Sequence, residues 1–65
     1  MKDYSSREVI RMLEKDGWVL VTVRGSHQQY KHPVKPGRVT VKHPDKDIPR
    51  KILDSIERQS GLRFR

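Results

Sequence analysis

Cysteine is absent from the 65 residues. Disulfides and thiolate metal sites are therefore excluded, in keeping with a reducing compartment. No apolar run approaches the ~20 residues that a membrane span needs. The opening stretch MKDYSSREVIRML lacks the unbroken apolar segment of a signal peptide, so the expectation is a soluble, cytoplasmic protein. Apolar residues are scarce as well, at 32% of the chain. A chain this short buries only about 60% of its unfolded surface, so the core must be small and total stability about 3–5 kcal/mol. There is no internal repeat, linker or low-complexity tract, and residues 1–65 read as one domain. Neither a glycine-rich phosphate loop nor a serine or cysteine nucleophile with an evident base is present.

What the chain has in excess is positive charge. Fifteen Lys and Arg face eight Asp and Glu, for a net charge of +7 and an isoelectric point near 10.3. On so small a body this is a strong positive field. It makes nucleic acid the first partner to consider and an acidic protein the second.

Ser5-Ser6-Arg7-Glu8 has the S-x-x-E spacing of a capping box. Val9, Ile10, Met12 and Leu13 follow at helical spacing, and Gly17 supplies a stop, which predicts an amphipathic helix from about Ser5 to Lys15. Trp18 to Arg24 is β-branched and aromatic, hence a strand. Gly25-Ser26 is a two-residue turn with glycine first, as a type II′ hairpin requires. A second strand runs from about His27 to His32, and a third from Arg38 to His43 after the Pro33–Gly37 loop. A second helix starts at about Pro49, carries the stripe Ile52, Leu53 and Ile56, and ends at Gly61. The tail Arg63-Phe64-Arg65 reads as loose. The predicted fold is α+β: an α-β-β-β-α two-layer sandwich, with a three-stranded antiparallel sheet and both helices on one face.

Strict alternation then sorts the side chains. Val19, Val21 and Val23 are expected on the helical side, with Trp18, Leu20, Thr22 and Arg24 on the open side. The residues flanking a two-residue turn lie opposite each other on one face, so His27 joins Arg24 on the open side. Gln29 and Lys31 follow outward, while Gln28, Tyr30 and His32 face the helical layer or its margin. Val39 and Val41 point inward, and Arg38, Thr40 and Lys42 outward. The open face therefore collects Arg24, His27, Lys31, Arg38 and Lys42.

That set suits RNA cleavage without metal, in which the 2′-hydroxyl attacks the adjacent phosphate. A histidine can take the hydroxyl proton near neutral pH, and arginine or lysine can stabilise charge on the phosphorane. On this reading Arg24 and Lys31 stand near His27, and Arg38 or Lys42 positions phosphates. The blander reading is a solvated basic face with a surface histidine. Metal binding is not expected: His27, His32 and His43 lack helical ligand spacing, cysteines and an obvious carboxylate. No cofactor is expected either. Trp18 reads as a packing residue at the sheet edge.

The stretch LEKDGWVLVTVRGSHQQYKHPVKPGRVTVKHPDKDIPRKIL resembles the HicA (YcfA-like) family of bacterial toxin–antitoxin systems. The specific feature is the ordered combination of D-G-W, R-G-S-H-x-x-Y-x-H-P, G-R-V-T-V-x-H-P and D-I-P. The resemblance covers nearly the whole chain. It implies a double-stranded-RNA-binding-like fold, a small ribonuclease toxin acting on mRNA, and neutralisation by a HicB-like antitoxin. It also implies that His27, the histidine after Gly-Ser, is catalytic. Many members carry a second histidine directly after it, where this chain has Gln28. A proline common before the later histidine is replaced by Lys42. The alternative from another class is a non-enzymatic RNA-binding module, in which Arg50 and Lys51 at the start of the second helix grip phosphates.

Overall fold

The first helix opens on the reciprocal cap that its sequence predicts. The Ser5 hydroxyl accepts the Glu8 backbone N–H at 3.2 Å, and the Glu8 carboxylate accepts the Ser5 N–H at 3.0 Å. In the computed structural model, which describes residues 3–64, the order is α1 (Ser6–Lys15), β1 (Val19–Arg24), β2 (His27–Lys31), β3 (Arg38–Lys42) and α2 (Arg50–Ser60). This is the expected α+β order. The strands form one antiparallel sheet with β2 in the centre. Val9 and Leu13 of α1 and Leu53 and Ile56 of α2 join Trp18, Tyr30, Val39 and Val41 in a single buried cluster. Both helices thus pack on the sheet face that carries Tyr30, Val39 and Val41.

The turn between β1 and β2 follows its glycine. Gly25 has φ 57°, and among the described residues none but glycine has a positive φ. A positive φ confined to the first central position is the type II′ requirement, and Arg24 pairs with His27 across it.

Strict alternation fails in β1, where the register shifts between Leu20 and Thr22. A bulge at Val21 adds one residue and reverses the facing of everything before it. Leu20 lies opposite Tyr30 and so on the helical side, and Val19 lies opposite Lys31 on the open side. Trp18, expected outward, is 1% exposed in the core. After the bulge the expected facing holds: Val23 pairs with Gln28, and Arg24 with His27.

β1 is also an edge that neither helix covers. Val19, Leu20, Val21 and Val23 are 57%, 43%, 47% and 55% exposed, whereas Val39 is fully buried. Equal valines therefore differ in worth. Val39→Ala should cost about 2 kcal/mol, from two lost methyls plus a cavity. Val23→Ala should stay within about 0.5 kcal/mol. Urea midpoints of the two variants check this, and equal shifts would contradict the placement of the core.

The C-terminal tail is core, contrary to the loose segment expected. Phe64 is 0% exposed, with its ring against Tyr4 at a centroid distance of 5.4 Å. Its N–H donates to Glu57 Oε2 at 2.6 Å and its carbonyl accepts from Arg50 Nη1 at 2.6 Å. Arg65 lies outside the described residues.

Two carboxylates hold the loops down. Asp16 accepts from Lys35 Nζ at 2.6 Å, and the same ammonium donates to the Ser60 carbonyl at 3.1 Å. That Lys35 bond is the main cause that lowers the Asp16 pKa below 3.8. The Phe64 N–H does the same for Glu57, below 4.5, with the Arg50 charge adding to it. A folded-state pKa below the unfolded one gives stability that is present above the unfolded value and lost as pH falls through the folded one. The melting temperature should therefore fall as pH drops below about 4.5. Glu57→Gln should melt lower at neutral pH and lose less on acidification. Thermal melts from pH 7 to pH 2 measure this, and parallel curves for the two proteins would rule it out.

Candidate functional site

Three strands bring one side chain each to a single row. His27 opens β2 and pairs directly with Arg24 of β1 and Lys42 of β3. All three are exposed. Side chains paired in this way have Cβ atoms about 4.5–5.5 Å apart. The His43 N–H donates to the Ser26 carbonyl at 2.7 Å, which ties the turn to the end of β3 and fixes the row. Beyond it comes the row Thr22, Gln29 and Thr40, then the row Val19, Lys31 and Arg38.

The five residues expected on the open face share it, but in two groups. Lys31 lies four positions along β2 from His27, about 13 Å at strand rise. Lys42, not Lys31, is the near neighbour on the β3 side. Arg38 pairs with Lys31 in the distant row, and its guanidinium donates to Gln29 Oε1 at 2.7 Å. The near row can hold a phosphate over the imidazole, with one cation on each side. The distant pair can hold another phosphate further along a strand.

The face is not open on every side. A groove of about 440 Å³ runs where its β3 margin meets α2. His27, Thr40 and Lys42 line it from the sheet, Asp45 and Pro49 from the following loop, and Ile52, Ser55, Ile56 and Gln59 from α2. Sequence reasoning placed Ile52 in the buried stripe, yet it is 46% exposed. The available signal was spacing. Ile52, Ser55 and Gln59 stand at i, i+3 and i+7, which is one helix face, distinct from the Leu53 and Ile56 face that fills the core.

The remaining histidines are structural. His32 Nδ1 accepts the N–H groups of Val34 and Lys35, each at 3.0 Å. Its proton therefore sits on Nε2, which donates to the Asp16 carbonyl at 2.8 Å. Gly17 makes room for that ring. It has φ 107°, and a Cβ there would stand 2.9 Å from His32 Nε2. His43 Nδ1 meets the Ser6 hydroxyl at 2.7 Å, and that hydroxyl accepts the Asp45 N–H at 2.9 Å. Among the described residues no group of three or more His, Cys, Asp or Glu is placed to hold a metal.

Gln28 pairs with Val41 on the helical side, and its Oε1 accepts the Tyr30 hydroxyl at 2.7 Å. It takes no part in the row. Arg50 is also committed elsewhere, to Asp54 at 3.0 Å, Glu57 at 3.2 Å and the Phe64 carbonyl. It is a brace for the tail, which weakens the phosphate-gripping role considered for it. Lys51 is exposed.

Among curated proteins none matches the chain. A family model described as the HicA toxin of bacterial toxin–antitoxin systems matches residues 6–62. The matched span takes in both helices, all three strands and the whole Arg24–His27–Lys42 row. The chain therefore belongs to the HicA toxin family of bacterial toxin–antitoxin systems, a membership that implies an antitoxin partner.

Proposed function

We propose that this toxin is an endoribonuclease that cleaves mRNA in the cytoplasm, with His27 as general base. The observation that carries the reading is the exposed row in which Arg24 and Lys42 flank His27 on the two neighbouring strands. His27 takes the proton of a 2′-hydroxyl. The 2′-oxygen forms a bond to phosphorus as the bond to the 5′-oxygen breaks. Arg24 and Lys42 stabilise the negative charge that builds on the phosphoryl oxygens. The leaving 5′-oxygen takes a proton from the solvent that reaches this exposed row. The products are a 2′,3′-cyclic phosphate and a 5′-hydroxyl, and every proton is held by protein or water, so the mechanism is metal-independent. Lys31 and Arg38 hold the chain further along. Of the two residues that the RNA-binding-module reading relies on, Arg50 is already bonded to Asp54, Glu57 and Phe64, which leaves Lys51 as its exposed cation. The test is incubation of the purified protein with RNA in excess chelator. Cleavage to cyclic-phosphate ends supports the proposal; intact RNA that the protein nonetheless binds would replace the nuclease with a binding module.

A HicB-like antitoxin fits this face by charge. An acidic surface over Arg24, Lys31, Arg38 and Lys42 would neutralise the field and exclude substrate phosphates. Reversing both Lys31 and Lys42 to Glu should weaken the complex by about tenfold or more, chiefly through slower association. Association rates at two salt concentrations measure this. Unchanged rates with an intact fold would move the contact to the helices.

A further inference from the structure

We propose that the groove between β3 and α2 holds one nucleobase of a single-stranded RNA, next to the phosphate that His27 acts on. The proposal rests on the reading of the His27 row as the site where RNA is held. It adds a subsite, and it makes Gln59 and Ser55 specificity-determining residues.

The groove begins at the row itself, since His27 and Lys42 are part of its lining. A phosphate seated there sends one of its two nucleosides along the groove. The chemistry of the walls then decides what fits. Lys42 is the groove's one ammonium, and Asp45 lines it too, so formal charge cancels and the groove is no second phosphate cradle. The wall opposite the sheet is apolar where Pro49 and, on α2, Ile52 stand. Ile52 is 46% exposed, on a helix whose sequence is otherwise mostly charged or polar, RKILDSIERQS. The flat face of a base covers such a surface, and a phosphate would not.

Beside that wall stand polar groups without charge. The Gln59 amide has two donors and an acceptor, and the Ser55 and Thr40 hydroxyls both donate and accept. Groups of this kind read the Watson–Crick edge of a base that has left its stack. A volume of about 440 Å³ falls within the ~300–1,000 Å³ of small-molecule sites. A base in a duplex is stacked and paired and cannot enter, so the substrate at this position is single-stranded. An acidic peptide side chain is the poorer occupant, because Asp45 would repel it.

The experiment measures binding without cleavage. The parent protein is titrated against a fluorescent 12-nucleotide 2′-O-methyl RNA, which lacks the attacking hydroxyl, and a single abasic residue is walked through it. One position should lose about fivefold or more in affinity, as expected for the loss of one bound base. That penalty should shrink below about twofold in Ile52→Ser and in Gln59→Ala. Both residues are exposed, so the fold should persist in each variant. A flat abasic scan, or a penalty unchanged by both substitutions, would overturn the proposal. So would an Ile52→Ser protein that loses affinity for its antitoxin but none for RNA, since the groove would then belong to the protein partner. A base-specific position in a protein that never cuts RNA would sink the nuclease reading and leave the groove standing. Cleavage with a flat scan would sink the groove alone.

Discussion

Replacing His27 with alanine is expected to slow RNA cleavage by about 10²–10⁴-fold, the usual effect of losing a general base, and to abolish growth arrest. The fold should survive for local reasons. His27 is exposed, so its removal leaves no cavity. Gly25 and Ser26 still make the turn, and the Ser26 carbonyl still accepts the His43 N–H at 2.7 Å. Arg24→Ala and Lys42→Ala should each do less. Each removes one of two cations and leaves the proton acceptor, and charges this exposed are partly screened by water and salt. The assay is RNA cleavage in chelator, with circular dichroism as the control for folding. A well-folded His27→Ala protein that cuts RNA at the parent rate would end the assignment of His27 as the base.

The parts of the fold and of the site that could be read from sequence are those set by neighbours in the chain. Ser5 and Glu8 are three residues apart and cap α1 as their spacing requires. Gly25 fixes the hairpin, the hairpin pairs Arg24 with His27 on one face, and alternation from Val23 makes that face the outward one, with Gln28 inward. What could not be read depends on partners distant in sequence. Nothing in Val21 marks it as a bulge, since a β-branched residue suits a regular strand equally well. The bulge shows only once Trp18 and Leu20 are seen on the same side as Tyr30. The groove is a meeting of β3 with α2, and no local pattern records which helix face closes beside the sheet margin. The spacing of Ile52, Ser55 and Gln59 identifies a face without saying what lies opposite.

Phe64 is the most consequential of these distant partners, and Phe64→Ala should leave a large fraction of the protein unfolded at 25 °C. Its ring is fully buried and packs edge-on against Tyr4. Truncating a buried phenylalanine costs about 3–5 kcal/mol. A domain of this size has only about 3–5 kcal/mol in total, so the loss is comparable with the whole. The effect should reach further than the cavity. With the ring gone, the bonds of the Phe64 N–H to Glu57 and of its carbonyl to Arg50 no longer have a fixed segment to close on. Phe64→Leu keeps much of the apolar volume and should remain folded with a lowered melting temperature. Growth arrest should weaken in Phe64→Ala although the substitution lies outside the His27 row and its groove. A saturating ligand should restore the fold in part, because binding at 100 times Kd adds about 2.7 kcal/mol. Far-ultraviolet circular dichroism and urea titration, with and without single-stranded RNA, measure all of this. A Phe64→Ala protein that unfolds at the parent's urea midpoint would show that the tail adds nothing to the core, and the segment would then be the loose end that its sequence suggests.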